Sequence, residues 1–185
     1  MKITILKSVF ILVFLVGCGG QKQTISEEDK AKLEEMVNDR SLRLDARWAN
    51  PLANQSINAI SSAGLLPPGS NPNRIDIIGT ASYLEIKKDS VFAILPYYGE
   101  RQFGNTYNPQ DVGIQFKGVA EDFEISYNEK KQHYNFKFDI SNEGGEGFNV
   151  IGTLFHNFRT NFYINSTERR TIGYWGNVEE LKEEE

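Results

Sequence analysis

The sequence predicts a mainly β domain: a single antiparallel β-sandwich or open barrel, built as a meander, with one N-terminal helix. Three observations predict it. From Arg74 onward the segments alternate apolar and polar residues with the two-residue period of a half-buried strand, as in Tyr134, Phe136, Phe138 and Ile140 against Asn135, Lys137 and Asp139. These segments follow one another across short turn sequences, Lys88-Asp89, Asn128-Glu129-Lys130-Lys131 and the Gly-rich 142–147, and short turns join antiparallel neighbours. The chain also carries 8 Tyr, 12 Phe and 2 Trp, most of them after Tyr83 and inside the same patterns. Aromatic side chains suit a pleated, half-buried surface.

The N-terminus reads as an export and anchoring segment. Lys2 and Lys7 precede the apolar run 9–16, VFILVFLV, which has the length of a signal-peptide core and is too short to span a bilayer. Leu15-Val16-Gly17-Cys18 follows and resembles the lipobox of bacterial lipoproteins, in which the cysteine is lipidated and becomes the mature N-terminus. Cys18 is the chain's single cysteine. As an acylated anchor it would leave no thiol for a disulfide, a metal or a nucleophile. The organisation expected is therefore a signal peptide at 1–17, the lipidated Cys18 and a tether at 18–25, one β-rich domain at 26–178, and an acidic tail at 179–185. Loss of residues 1–17 removes two lysines and takes the net charge from −5 to −7. Such a balance argues against a nucleic-acid binder, which asks for a basic stripe, and against a polybasic membrane patch.

The elements follow in order. Ser26 is a good N-cap, Glu27, Glu28 and Asp29 suit a helix N-terminus, and Leu33, Met36 and Val37 share one face, so a helix is expected over 26–38. Leu42, Leu44, Ala46 and Trp48 alternate with Ser41, Arg43, Asp45 and Arg47, a strand with the first set buried that ends at Pro51. Residues 52–73 form a long connection with a short helix over 55–63 and a breaker-rich end, Pro67-Pro68-Gly69. Strands are then expected near Ile75 and Ile77, at 83–86, 91–95, 112–116, 122–127, 134–140, 148–155, 161–165 and 171–175. The run Val91-Phe92-Ala93-Ile94-Leu95 breaks the alternation, which predicts a strand covered on both faces, with the N-terminal helix as one cover.

The motifs of several enzyme and metal-site classes are missing. His133 and His156 are the only histidines and stand in no metal-binding spacing; there is no G-x-S-x-G elbow and no S-x-x-K. No catalytic residue, metal or cofactor is expected. Adjacent acids such as Glu121-Asp122 point to opposite faces of a strand, so only carboxylates from different strands could converge. The stretch that stands apart is the loop after Pro96, which gathers Tyr97, Tyr98, Arg101, Phe103 and Tyr107. Aromatics with an arginine are typical of recognition surfaces. The competing reading is that they fold back to cap the end of the barrel.

Several of these stretches together resemble an uncharacterised family of lipoproteins of Bacteroidota-type bacteria, domain of unknown function 4251. The marks are Leu42-Arg43-Leu44-Asp45-Ala46 through Pro51, Asp89-Ser90-Val91, Leu95-Pro96-Tyr97-Tyr98-Gly99, Gly113-Ile114-Gln115-Phe116 and Arg170-Thr171-Ile172-Gly173-Tyr174-Trp175-Gly176, and the resemblance runs from about Leu42 to Val178. Glu100 intervenes before Arg101, Val112 stands where glycine is usual, and Asn157-Phe158-Arg159 replaces an Asn-Gly-like turn. The resemblance implies a β-rich, membrane-anchored envelope domain and supplies no activity. The functional expectation is a non-enzymatic lipoprotein domain that binds an envelope ligand or partner at one end of the barrel, held by Cys18 at the outer membrane and facing the periplasm. An enzyme acting on an envelope polymer through cross-strand carboxylates and a purely structural component are the alternatives.

Overall fold

The computed structural model describes residues 25–52, 54–103 and 113–181. Among these residues two helices, α1 (Glu27–Asn38) and α2 (Gln55–Ser62), accompany ten strands: β1 (Ser41–Pro51), β2 (Ile75–Asp76), β3 (Tyr83–Lys87), β4 (Ser90–Pro96), β5 (Gly113–Val119), β6 (Glu121–Asn128), β7 (His133–Ser141), β8 (Gly147–Phe155), β9 (Arg159–Ser166) and β10 (Ile172–Glu180). All lie in one antiparallel sheet of order β5-β4-β3-β1-β10-β9-β8-β7-β6, with β2 paired to β1.

That order is a meander wrapped on itself. The first and last long strands pair along their lengths, from Leu42↔Glu180 to Pro51↔Ile172. At the other side of the circuit β5 runs into β6 through the single residue Ala120; β5 pairs with β4 and β6 with β7. Asp122 takes φ 49° and the β6–β7 register slips between Glu121 and Glu124. A bulge of this kind bends a strand sharply. Residues 113–128 thus act as one long strand folded at a corner, and the sheet becomes a nearly closed barrel whose strands follow chain order.

The inward face is the alternating set. Tyr174, Phe136, Phe138 and Phe162 are among its largest fully buried side chains. At Gly152 a Cβ would meet the Phe136 ring at 2.3 Å, so a side chain there would displace the core's central aromatic. The expected register of β7 is the observed one, with Phe136, Phe138 and Ile140 buried.

Helix α1 forms as its signals predict. Ser26 caps it, its Oγ accepting from the Asp29 N–H at 3.0 Å, and Leu33, Met36 and Val37 are the buried face. Its position differs from expectation. It packs at the end of the barrel where β1 begins and β10 finishes, with its principal contacts on β1 and Lys32 3.7 Å from Glu180, rather than over β4. β4 is also not doubly covered. Val91, Ala93 and Leu95 face the core, while Phe92 and Ile94 are half-buried on the outside, the Phe92 ring 5.7 Å from that of Tyr83. Cross-strand aromatic packing, not a helix, explains the apolar outer positions.

A second departure matters more. β1 alternates as predicted through Ala46, then bulges: Ala46 partners Gly176 and Trp48 partners Trp175, leaving Arg47 as the extra residue. One inserted residue inverts the side-chain parity beyond it. Ala49 and Pro51 take the inward positions, and Trp48, expected inside, turns outward beside Arg47. Gly176 makes this possible, since a Cβ there would stand 1.9 Å from the Asp45 carbonyl oxygen. The turn from β8 to β9 keeps a left-handed residue without glycine: Phe158 has φ 56°, and Asn157 Oδ1 accepts from the Arg159 N–H at 3.3 Å.

Candidate functional site

The bulge in β1 has a consequence on the outer face of β9, β10 and β1. Arg47 and Trp48 project there together, opposite Trp175 on β10. The connection before β2 is tied down beside them. Asn50 Nδ2 donates to the Asn73 carbonyl at 2.9 Å, Ser70 Oγ accepts from the Asp76 N–H at 2.9 Å, and the Ile77 N–H donates to the Arg47 carbonyl at 3.1 Å. This holds Arg74 with its guanidinium 3.7 Å over the Trp48 ring and stands Ile78 up as a wall. The opposite wall is the β8–β9 turn, with Phe155 and Asn157, from which Arg159 enters β9. Between the walls lies a groove of about 610 Å³, floored by Trp175 and Gly176 and edged by the amides of Asn161 and Asn177.

Its chemistry is distinctive for an acidic chain. Both tryptophans of the sequence and three arginines line it, and none of the lining residues is acidic. Arg47, Arg74 and Arg159 form no ion pair among the described residues, whereas Arg40, Arg43, Arg101, Arg169 and Arg170 each lie within 4.0 Å of a carboxylate. The Asn161 and Asn177 amides likewise hydrogen-bond to no described residue. Exposed aromatic faces, cationic planes and unengaged amides in one concavity can hold an anion that carries a flat apolar surface.

The loop singled out from the sequence lies at the barrel end opposite α1, and its residues separate into two groups. Tyr97 and Tyr98 are half-buried and pack against the core, and burial pushes both phenols up from their ordinary pKa. Tyr97 Oη donates to the carbonyls of Glu100 at 3.0 Å and Arg170 at 3.2 Å, and its ring folds over Gly99, where a Cβ would be 2.4 Å from that oxygen. Arg101 donates from Nε to Glu168 at 3.0 Å, and Phe103 is 70% exposed. Tyr107, like Cys18, lies outside the described residues.

Beneath this loop is a buried ion pair. Arg169 donates to Glu146 from Nε and Nη2 at 2.9–3.2 Å and from Nη1 to the Gly113 carbonyl at 2.9 Å, while Ser166 Oγ bonds the same carboxylate. Tyr174 Oη, fully buried, donates to the Pro96 carbonyl at 2.8 Å, and burial holds its pKa well above the usual phenol value. The segment 168–170 is thereby stitched to the loop 96–103.

At the α1 end, His156 is buried beside Tyr127, whose Oη is 3.3 Å from Nε2, and burial holds its pKa below the ordinary value. A shallow depression at the β6 bulge gathers Asp122, Glu124 and Asp139, but Lys137 pairs with Glu124 at 2.9 Å and Asn149 donates to Asp139 at 2.7 Å. No cluster of metal-ligating side chains occurs among the described residues.

Sequence reasoning missed the groove because the parity change in β1 has no glycine or proline to announce it. The signal within reach was Arg47 next to Trp48, together with Gly176 following Trp175.

The fold and its grooved outer face define a small, nearly closed antiparallel β-barrel domain. A family profile described as domain of unknown function (DUF4251) matches residues 24–178, and the chain belongs to that family. The barrel is similar to the crystal structure of a DUF4251 family protein from Bacteroides eggerthii, with a TM-score of 0.54 and 11% identity, over 83% of this chain and 88% of that one. At that identity the likeness is one of fold. No curated protein matches the chain.

Proposed function

We propose that the protein is a membrane-tethered envelope lipoprotein whose barrel binds an anionic, ring-bearing ligand in the groove between β9, β10, β1 and the β2 connection, without catalysing a reaction. The observation that carries this reading is the set of three arginines without acidic partners among the described residues, beside both tryptophans of an otherwise acidic chain. A guanidinium stacked on an indole is held in place while its donors stay open, which suits it to a carboxylate or phosphate. The loop 97–103 is a weaker candidate for the same role, because Tyr97, Tyr98 and Arg101 are already engaged within the fold.

The tether is the lipidated Cys18, and the expected location is the outer membrane, facing the periplasm. What supports it is the basic start, the short apolar core and the small residue before the single cysteine. Among the described residues no helix is long and apolar enough to cross a membrane.

Calorimetric titration with ring-bearing anions, a uronic acid oligomer, a nucleotide and an aryl phosphate, tests the binding reading against a variant carrying Arg47→Ala, Arg74→Ala and Arg159→Ala. At least one should bind the wild type with an affinity that falls as salt rises, and the variant should lose it. Equal binding by the variant, or no binding by any of them, overturns the reading.

A further inference from the structure

We infer that the ligand is an acidic glycan chain, which places a charged sugar among the three arginines and runs its further rings across the outer face of β10, β9 and β8. This rests on the groove's being an anion-binding site and adds what the surface beyond it contributes. Trp175 does not stand alone. Tyr163 on β9 is 44% exposed and Ile151 on β8 is 45% exposed, and the two are cross-strand partners. Tyr163 also partners Gly173, two residues before Trp175, and its ring lies over that glycine: a Cβ at 173 would be 2.9 Å from it. Residues two apart share a face about 7 Å apart, so Trp175, Tyr163 and Ile151 form one exposed apolar track leading out of the groove, with the half-buried Trp48 under Arg74 at its head.

The track's chemistry selects its occupant. Pyranose rings present faces of C–H bonds, which lie well on the electron-rich faces of aromatic rings. Their hydroxyls both donate and accept, as amides do, and Asn161 and Asn177, which hydrogen-bond to no other described residue through their side chains, stand beside the track. Carboxylates on the sugar match the arginines clustered at one end. A peptide fits less well. Extended peptides dock by adding a strand to a free edge, and β9, β10 and β1 are each paired on both sides.

The test uses the domain from residue 19 onward with the whole tether, titrated by calorimetry with a galacturonate hexamer, the galacturonate monomer, maltohexaose and polyglutamate. The hexamer should bind at least about tenfold more tightly than the monomer or maltohexaose, a step of about 1.4 kcal/mol. Tyr163→Ala should weaken the hexamer severalfold and leave the monomer unchanged, and Arg74→Ala should weaken both. Equal affinity for monomer and hexamer, or for polyglutamate and hexamer, would sink the glycan inference while leaving an anion-binding groove. If none of the anions binds, the groove reading has failed as well.

Discussion

Two regions of this barrel gather arginines and aromatic rings, and they use them in opposite ways. At the end reached by β4, β7 and β9, Arg169 is 5% exposed and spends its donors on Glu146 and the Gly113 carbonyl, with the Tyr97 ring 5.3 Å away. On the outer face of β1, β10 and β9, Arg74 stacks on Trp48 at 3.7 Å and, like Arg47 and Arg159, meets no carboxylate among the described residues. The first set is consumed by the fold; the second is held but left open. What marks a binding surface is not the presence of arginine and aromatics but whether the structure has already satisfied them.

The contrast can be broken at its buried end with the largest effect. Glu146→Ala leaves the Arg169 guanidinium buried without its carboxylate, which should cost about 3–5 kcal/mol. Thermal unfolding should show a midpoint lowered by about 10 °C, with groove binding intact in whatever fraction is folded. Tyr98→Ala combined with Arg101→Ala comes next. Tyr98 packs on the core, so the double variant should lose about 1–3 kcal/mol in urea unfolding and keep its ligand affinity. Loss of ligand with unchanged stability would move the site to the loop.

Trp175→Ala sharpens the other side. The indole is 40% exposed and outside the core, so the change should stay within about 0.5–1 kcal/mol of wild-type stability while ligand affinity falls by at least tenfold. The smallest effect expected is a pH effect at the α1 end. Burial, the largest cause, and Lys30 hold the His156 pKa below its ordinary value, against Glu27 and Glu34. The unfolded chain therefore takes up the proton first as pH falls. This contribution to stability is complete above the unfolded pKa of about 6.5 and declines below it. Urea midpoints measured at neutral and mildly acidic pH should show a smaller drop for His156→Gln than for the wild type.

The barrel was legible because its strands keep one period and short turns: the alternation at 134–140 and the cap at Ser26 both read through to the fold. The misreadings have local physical causes. Val91-Phe92-Ala93-Ile94-Leu95 looked doubly buried because Phe92 packs sideways on Tyr83, a contact set by strand pairing that a single sequence does not display. Trp48 looked inward because the parity of β1 changes at Arg47, where the only accomplice is a glycine on another strand, Gly176. The groove inherits that invisibility. Its residues come from β1, the β2 connection, the β8–β9 turn, β9 and β10, which only the closed meander brings together.

Both tryptophans of the chain line the groove, so intrinsic emission reports on that site. The most direct measurement is tryptophan fluorescence of the wild type titrated with the galacturonate hexamer at low and high salt. A saturable change in emission at low salt, abolished at high salt and absent in Arg74→Ala, is the predicted result. Emission that stays constant through a titration in which calorimetry detects binding would put the ligand elsewhere on the molecule and contradict the account.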